Sequence, residues 1–84
     1  MNKDKAIVIF NNIKTNTNVD LEIPLSISAN ELVEALNLAF DLGIDISDIK
    51  KCYLKAENPI AFLKGKKTLA EFGIRDGSVI NFTE

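Results

Sequence analysis

Thr68-Leu69-Ala70-Glu71-Phe72-Gly73-Ile74-Arg75-Asp76-Gly77-Ser78-Val79-Ile80-Asn81-Phe82 is the stretch that decides how this 84-residue chain folds. Thr68 to Gly73 reads as a short helical turn closed by glycine, which enters the left-handed region without a Cβ clash. Asp76-Gly77 is a tight-turn signal, and Ser78 to Thr83 reads as a last strand. Successive strand side chains point to opposite faces, so this strand offers one of two sets to a core. Ile80 and Phe82 are expected inward, because they add the larger apolar groups. Val79, Asn81 and Thr83 then face out.

Upstream, Lys50 to Ala56 is expected to form a third strand. Glu57-Asn58-Pro59 turns the chain into a short fourth strand, Ile60 to Leu63. Before these, Ser28-Ala29-Asn30-Glu31 is a capping box: Ser28 accepts from the Glu31 N–H while the Glu31 carboxylate reaches back. The helix it opens places Leu32, Val33, Leu36, Ala39 and Phe40 on one face, with Asn30, Glu34, Asn37 and Asp41 opposite. Leu38 falls on the polar side. Gly43 is the expected terminator. Ile44 to Ile49 is a polar connector with two apolar tethers and a turn at Ser47-Asp48. At the start, Lys5 to Asn11 reads as a strand around Ile7-Val8-Ile9-Phe10. Asn11 to Asn18 reads as its turn. Val19, Leu21, Ile23 and Leu25 alternate with Asp20, Glu22 and Pro24, as in a half-buried hairpin partner.

The predicted order is β-β-α-β-β-(short helical turn)-β. One helix covers only one face of one sheet, so the class is α+β in two layers, with one domain over 1–84. By analogy this is the order of the β-grasp, or ubiquitin-like, fold: a mixed sheet with one helix packed on one face.

Composition removes several kinds of chemistry. The chain has no His and a single cysteine, Cys52. An intrachain disulfide framework, a Cys/His zinc site and histidine-based acid–base or nucleophilic mechanisms are excluded. Cys52 shares a predicted strand face with Leu54 and Ala56, away from Lys51 and Lys55, and is expected to be core filling. Asp41, Asp45 and Asp48 match no calcium-loop spacing and read as a solvated helix end and loop. No cofactor is expected. The formal net charge of −2 speaks against a nucleic-acid partner. The apolar run Ala6 to Phe10 is too short for a signal-peptide core or a membrane span, and a lone cysteine suits a reducing compartment, so a cytoplasmic location is expected.

Charge is unevenly spread. Lys50, Lys51, Lys55, Lys64, Lys66 and Lys67 crowd the third and fourth strands, while residues 19–49 hold seven acidic side chains and no basic one. The lysines serve either as protection of a sheet edge or as steering toward an acidic protein surface. The first strand is apolar on both faces. With Ala6, Val8 and Phe10 inward, Ile7 and Ile9 face out; the pattern also allows the reverse. An outward Ile7–Ile9–Tyr53–Val79 patch flanked by Lys51 and Lys55 would be either a contact surface or β propensity with ordinary surface apolarity. These six residues are the candidate partner-binding residues. The patch resembles in position the sheet surface through which ubiquitin is recognised.

The stretch from Thr68 to Phe82 resembles the end of ubiquitin-like domains, where a Thr-Leu turn, an aromatic and an Ile precede a polar turn and the final strand. The Gly73-Ile74-Arg75-Asp76-Gly77 segment, the length and the acidic balance resemble the EsaB/YukD family of ubiquitin-like proteins of type VII secretion in Gram-positive bacteria. That resemblance implies a non-catalytic accessory or regulatory module, bound by a protein partner such as a membrane-anchored secretion component. The chain departs from conjugated and sulfur-carrying relatives in ending Ile80-Asn81-Phe82-Thr83-Glu84, without Gly-Gly. Conjugation is therefore not expected. Two further roles fit the fold order: self-association through the sheet face, and service as a small accessory subunit of a multicomponent enzyme such as a di-iron monooxygenase. An enzyme acting alone is not expected, since neither a phosphate-binding glycine loop nor a concentrated acid/base pair is present.

Overall fold

The computed structural model describes residues 4–48 and 50–82. Ile49 of the predicted connector and Thr83 of the predicted last strand lie outside them, as do residues 1–3 and 84. The elements are β1 (Lys5–Asn12), β2 (Thr17–Pro24), α1 (Ala29–Phe40), β3 (Leu54–Glu57), β4 (Ala61–Leu63), α2 (Leu69–Phe72) and β5 (Val79–Phe82). The five strands form one sheet in the order β2-β1-β5-β3-β4. β1 and β5 run parallel, and the other neighbours are antiparallel. This is the mixed α+β sheet predicted, with β1 in its interior.

β1 shows why the sheet has one dry face. Ala6, Val8, Phe10 and Asn12 are buried, while Ile7 is exposed and Ile9 half-buried. Val8, Phe10, Leu54, Leu63 and Ile80 join Leu32, Val33 and Leu36 of α1 in a single core cluster. Phe10 meets Phe40 with ring centroids 4.9 Å apart. Ile80 and Phe82 are buried, as expected. The hairpin turn is tighter than predicted. Pairing continues through Asn11↔Asn18 and Asn12↔Thr17, and only the residues between them turn, with Asn16 at φ 56°. Asn12 sustains this extension: its buried Oδ1 accepts from the Lys14 N–H at 3.1 Å.

The capping box at α1 is present, with Glu31 N–H donating to Ser28 Oγ at 3.1 Å and Ser28 N–H to Glu31 Oε1 at 3.0 Å. The buried stripe is Ala29, Leu32, Val33 and Leu36, with Phe40 half-buried behind it. Ala39, predicted on this face, is exposed, because the stripe runs i, i+3, i+4, i+7 from Ala29 and turns past it. Leu38 is 87% exposed. The helix stops earlier than Gly43. Asp41 itself takes the left-handed cap (φ 53°), with its N–H bonded to Asn37 O. Gly43 supplies a second left-handed residue two positions on (φ 75°).

The third strand starts at Leu54, four residues later than predicted. Asp45 Oδ1 accepts from the Ser47 N–H and hydroxyl, Asp48 Oδ1 accepts from the Lys50 N–H, and the Lys51 and Cys52 N–H groups both reach Asp48 O. The Asp48 carboxylate and carbonyl thus capture the Lys50, Lys51 and Cys52 N–H groups that an extended strand would need. Ile60, predicted in the fourth strand, stands in the turn before it and is 91% exposed. α2 and its Gly73 cap (φ 83°) form as read.

Candidate docking surface

The sheet face opposite α1 follows from parity and register. β1 offers Ile7, Ile9 and Asn11; β2 offers Asn18, Asp20 and Glu22; β5 offers Val79 and Asn81. Lys55 and Glu57 come from β3, and Phe62 from β4. Ile9 stands beside Val79 in the parallel β1–β5 pair and beside Asp20 across the hairpin. Ile7 is 53% exposed next to them. These three apolar side chains form one cluster, bordered by Asp20, Glu22 and Glu57.

Tyr53 is not part of it. A polar row of Asn11, Asn81 and Lys55 crosses the sheet between them. Asn11 Nδ2 donates to Asn81 Oδ1 at 3.1 Å, and Asn81 Nδ2 donates to Glu57 Oε2 at 2.7 Å. Tyr53 packs instead on Phe62, with ring centroids 5.6 Å apart, and Lys55 Nζ lies 6.0 Å from the Phe62 centroid. Lys51 is exposed in the turn before β3 and borders, with Tyr53 and Lys50, an open cavity of about 500 Å³ floored by Leu42, Ile44 and Phe82. Four of the six candidate residues thus fall on two separate apolar clusters, Lys55 lies on the row between, and Lys51 is on the turn. Phe62, 57% exposed, is the member the sequence reading passed over. Its signal was present: in a short strand following a proline turn, one of Ala61, Phe62 and Leu63 must point away from the core.

The loops that frame this face are pinned by side-chain amides and carboxylates. The Asn37 amide closes a two-bond clamp on Ile44, donating to its O and accepting from its N–H, both at 2.9 Å. Asp76 Oδ1 accepts from the Ile7 N–H at 2.8 Å, so the 76–77 turn is laced to β1. Ser78, fully buried, accepts from the Arg75 N–H and donates to Asn58 O at 2.6 Å. This hydroxyl ties the turn before β5 to the turn before β4.

The ionisable groups are tuned by structure. Burial raises the Cys52 thiol above its ordinary value, with the Glu34 charge adding to it. Cys52 is 6% exposed and belongs to the core cluster, as expected, although it precedes β3 instead of lying within it. Hydrogen bonds from Ser47 hold Asp45 below the ordinary carboxylate value, and those from Thr68 do the same for Glu71. Among the described residues no cluster of three or more Cys, Asp or Glu side chains could hold a metal ion, and no helix is long and apolar enough to cross a membrane.

The sequence model of one protein family, described as WXG100 protein secretion system (Wss), protein YukD, matches residues 8–81. No curated protein matches the chain. Solved structures do. A ubiquitin-like domain from tubulin-binding cofactor B is 19% identical, with a TM-score of 0.72 over 93% of this chain and 87% of that one. The UBL domain of Plasmodium falciparum Dsk2 is 15% identical, with a TM-score of 0.60 over 94% and 99%. A de novo designed protein based on ubiquitin is also 15% identical, with a TM-score of 0.66 over 98% and 90%. At these identities the likeness shows the fold, which is ubiquitin-like.

Proposed function

We propose, from the premise that this chain belongs to the YukD family of the WXG100 protein secretion system, that it works by docking its outer sheet face on a cytoplasmic domain of that machinery. The family match over residues 8–81 carries the reading. The face supports it: Ile7, Ile9 and Val79 lie together on the side of the sheet away from α1, and Tyr53 and Phe62 form a second apolar contact beside Lys55. Exposed apolar clusters of this kind mark contact sites on small soluble domains. Lys55, between the two clusters, and Lys51, on the turn before β3, add positive charge on the Tyr53–Phe62 side of the face, suited to an acidic patch of a partner, while Asp20, Glu22 and Glu57 border the Ile7–Ile9–Val79 side. The role is one of binding, carried out in the cytoplasm and without a chemical step by this chain.

The test is secretion of a WXG100-type substrate in a deletion strain complemented with the wild-type chain, with Ile9→Lys or with Tyr53→Ala. The reading expects the wild type to restore secretion and both variants to fail while remaining folded. Full secretion without the chain would overturn it.

A further inference from the structure

The sheet order leaves two edges, β2 and β4. They are unequal. β4 is three residues long and β2 is eight. An edge strand presents a row of unpaired N–H and C=O groups, which proteins ordinarily blunt with charged side chains, lysine above all, an internal proline, a bulge or brevity. β2 carries charge only as Asp20 and Glu22, which repel an acidic strand and attract a basic one, and it uses none of the other devices. From Thr17 to Glu22 it holds no Lys or Arg, its only proline is the terminal Pro24, and its register with β1 runs unbroken over eight pairs.

Its two faces differ. Asn18, Asp20 and Glu22 lie on the outer face, all exposed. On the core side, Ile23 is buried, Leu21 is only half-buried and Val19 is 37% exposed, so the apolar layer there is incompletely covered. The edge is therefore open, acidic on one side and apolar on the other.

We propose that β2 accepts an extended segment of another protein as an additional strand, one that alternates Lys or Arg with Val, Ile or Leu. Backbone hydrogen bonds to the free edge would hold it, as in other strand-addition complexes. Its basic side chains pair across the strands with Asp20 and Glu22 on the outer face. Its apolar side chains extend the core layer beside Val19 and Leu21. A one-residue slip moves every basic group to the apolar side, so the alternation also sets the register. A second β2 is a poor occupant: antiparallel pairing sets Asp20 and Glu22 against each other, or against Asn18, with no cation on the outer face between Asn18 and Glu22. The proposal does not rest on the outer-face docking surface.

The experiment is an NMR titration of the ¹⁵N-labelled full chain with a blocked octapeptide alternating lysine and valine. A glutamate–valine octapeptide and a lysine–valine octapeptide with a central proline are the controls. The expected result is saturable shifts in Thr17–Pro24 and slowed hydrogen exchange at the outward amides of β2, with neither control acting. Asp20→Lys/Glu22→Lys should weaken binding at least tenfold with an unchanged circular dichroism spectrum, and Leu38→Lys, on the exposed side of α1, should leave it intact. The proposal is overturned by shifts centred on α1 or the outer face, by equal binding of the glutamate peptide, by the absence of any response at millimolar peptide, or by a doubled mass without peptide that the charge-reversed pair abolishes.

Discussion

Ser28 and Thr68 face each other across an isolated antiparallel bridge, and each is the N-cap of its own helix. The bridge is laced on both sides: Ala29 N–H donates to Lys67 O and Leu69 N–H to Ile27 O, both at 3.0 Å. Two capping boxes therefore sit back to back, and the start of α1 is set by the start of α2. Thr68→Ala should cost about 1 kcal/mol, as loss of an N-cap does. The Ser28→Ala/Thr68→Ala pair should be non-additive, because the caps share one backbone bridge. Urea denaturation of the two single variants and the double variant measures this.

Glu71 gives the same junction a pH dependence. Hydrogen bonds from the Thr68 backbone and side chain hold its carboxyl below the ordinary glutamate value. A group with a depressed folded pKa adds stability that is full above the unfolded pKa and is lost as pH falls through the folded one. The loss belongs on the acid side of the ordinary glutamate range. Glu71→Gln should remove that part of the acid slope, and a carbon-detected titration of the Glu71 carboxyl should place its midpoint below the ordinary glutamate value.

Leu36 and Leu38 lie two positions apart on α1 with opposite fates, 5% and 87% exposed. Leu36→Ala should cost about 2–5 kcal/mol by leaving a cavity under the sheet. Leu38→Ala should change stability by less than about 0.5 kcal/mol. Chemical denaturation with a common m-value separates the two.

Much of this was legible in the chain. The capping box at Ser28, the Gly73 stop, the Asp76-Gly77 turn and the alternation in β5 each use local chemistry, and each formed where the residues indicated. The misplaced boundaries arose where side chains compete with the ladder. The Asp48 carboxylate and carbonyl took the Lys50, Lys51 and Cys52 donors and delayed β3, and Asp41 adopted the cap conformation ahead of Gly43. The inward side of β1 was undecidable from its own residues, since both parities are apolar; long-range register with β5 and the helix decided it. The outer face was half legible for a related reason. Parity put Ile7, Ile9 and Val79 on one side, but the distance from Val79 to Tyr53 depends on the Asn81–Lys55 pairing, which no local pattern encodes.

Cys52 should behave as a core thiol. It is 6% exposed and burial raises its pKa, so little thiolate forms near neutrality. Its reaction with an aromatic disulfide reagent should be slow in buffer and should accelerate at the urea concentration that unfolds the chain. Rapid reaction in buffer would place the thiol on the surface.

Co-purification of the secretion machinery's membrane component with the tagged chain tests the central claim most directly, comparing the wild type, Leu38→Lys and Ile9→Lys, all confirmed folded. Recovery of that component with the wild type and Leu38→Lys, and its loss with Ile9→Lys, is the predicted result. Equal recovery with Ile9→Lys, or no recovery with the wild type, would contradict docking through this face.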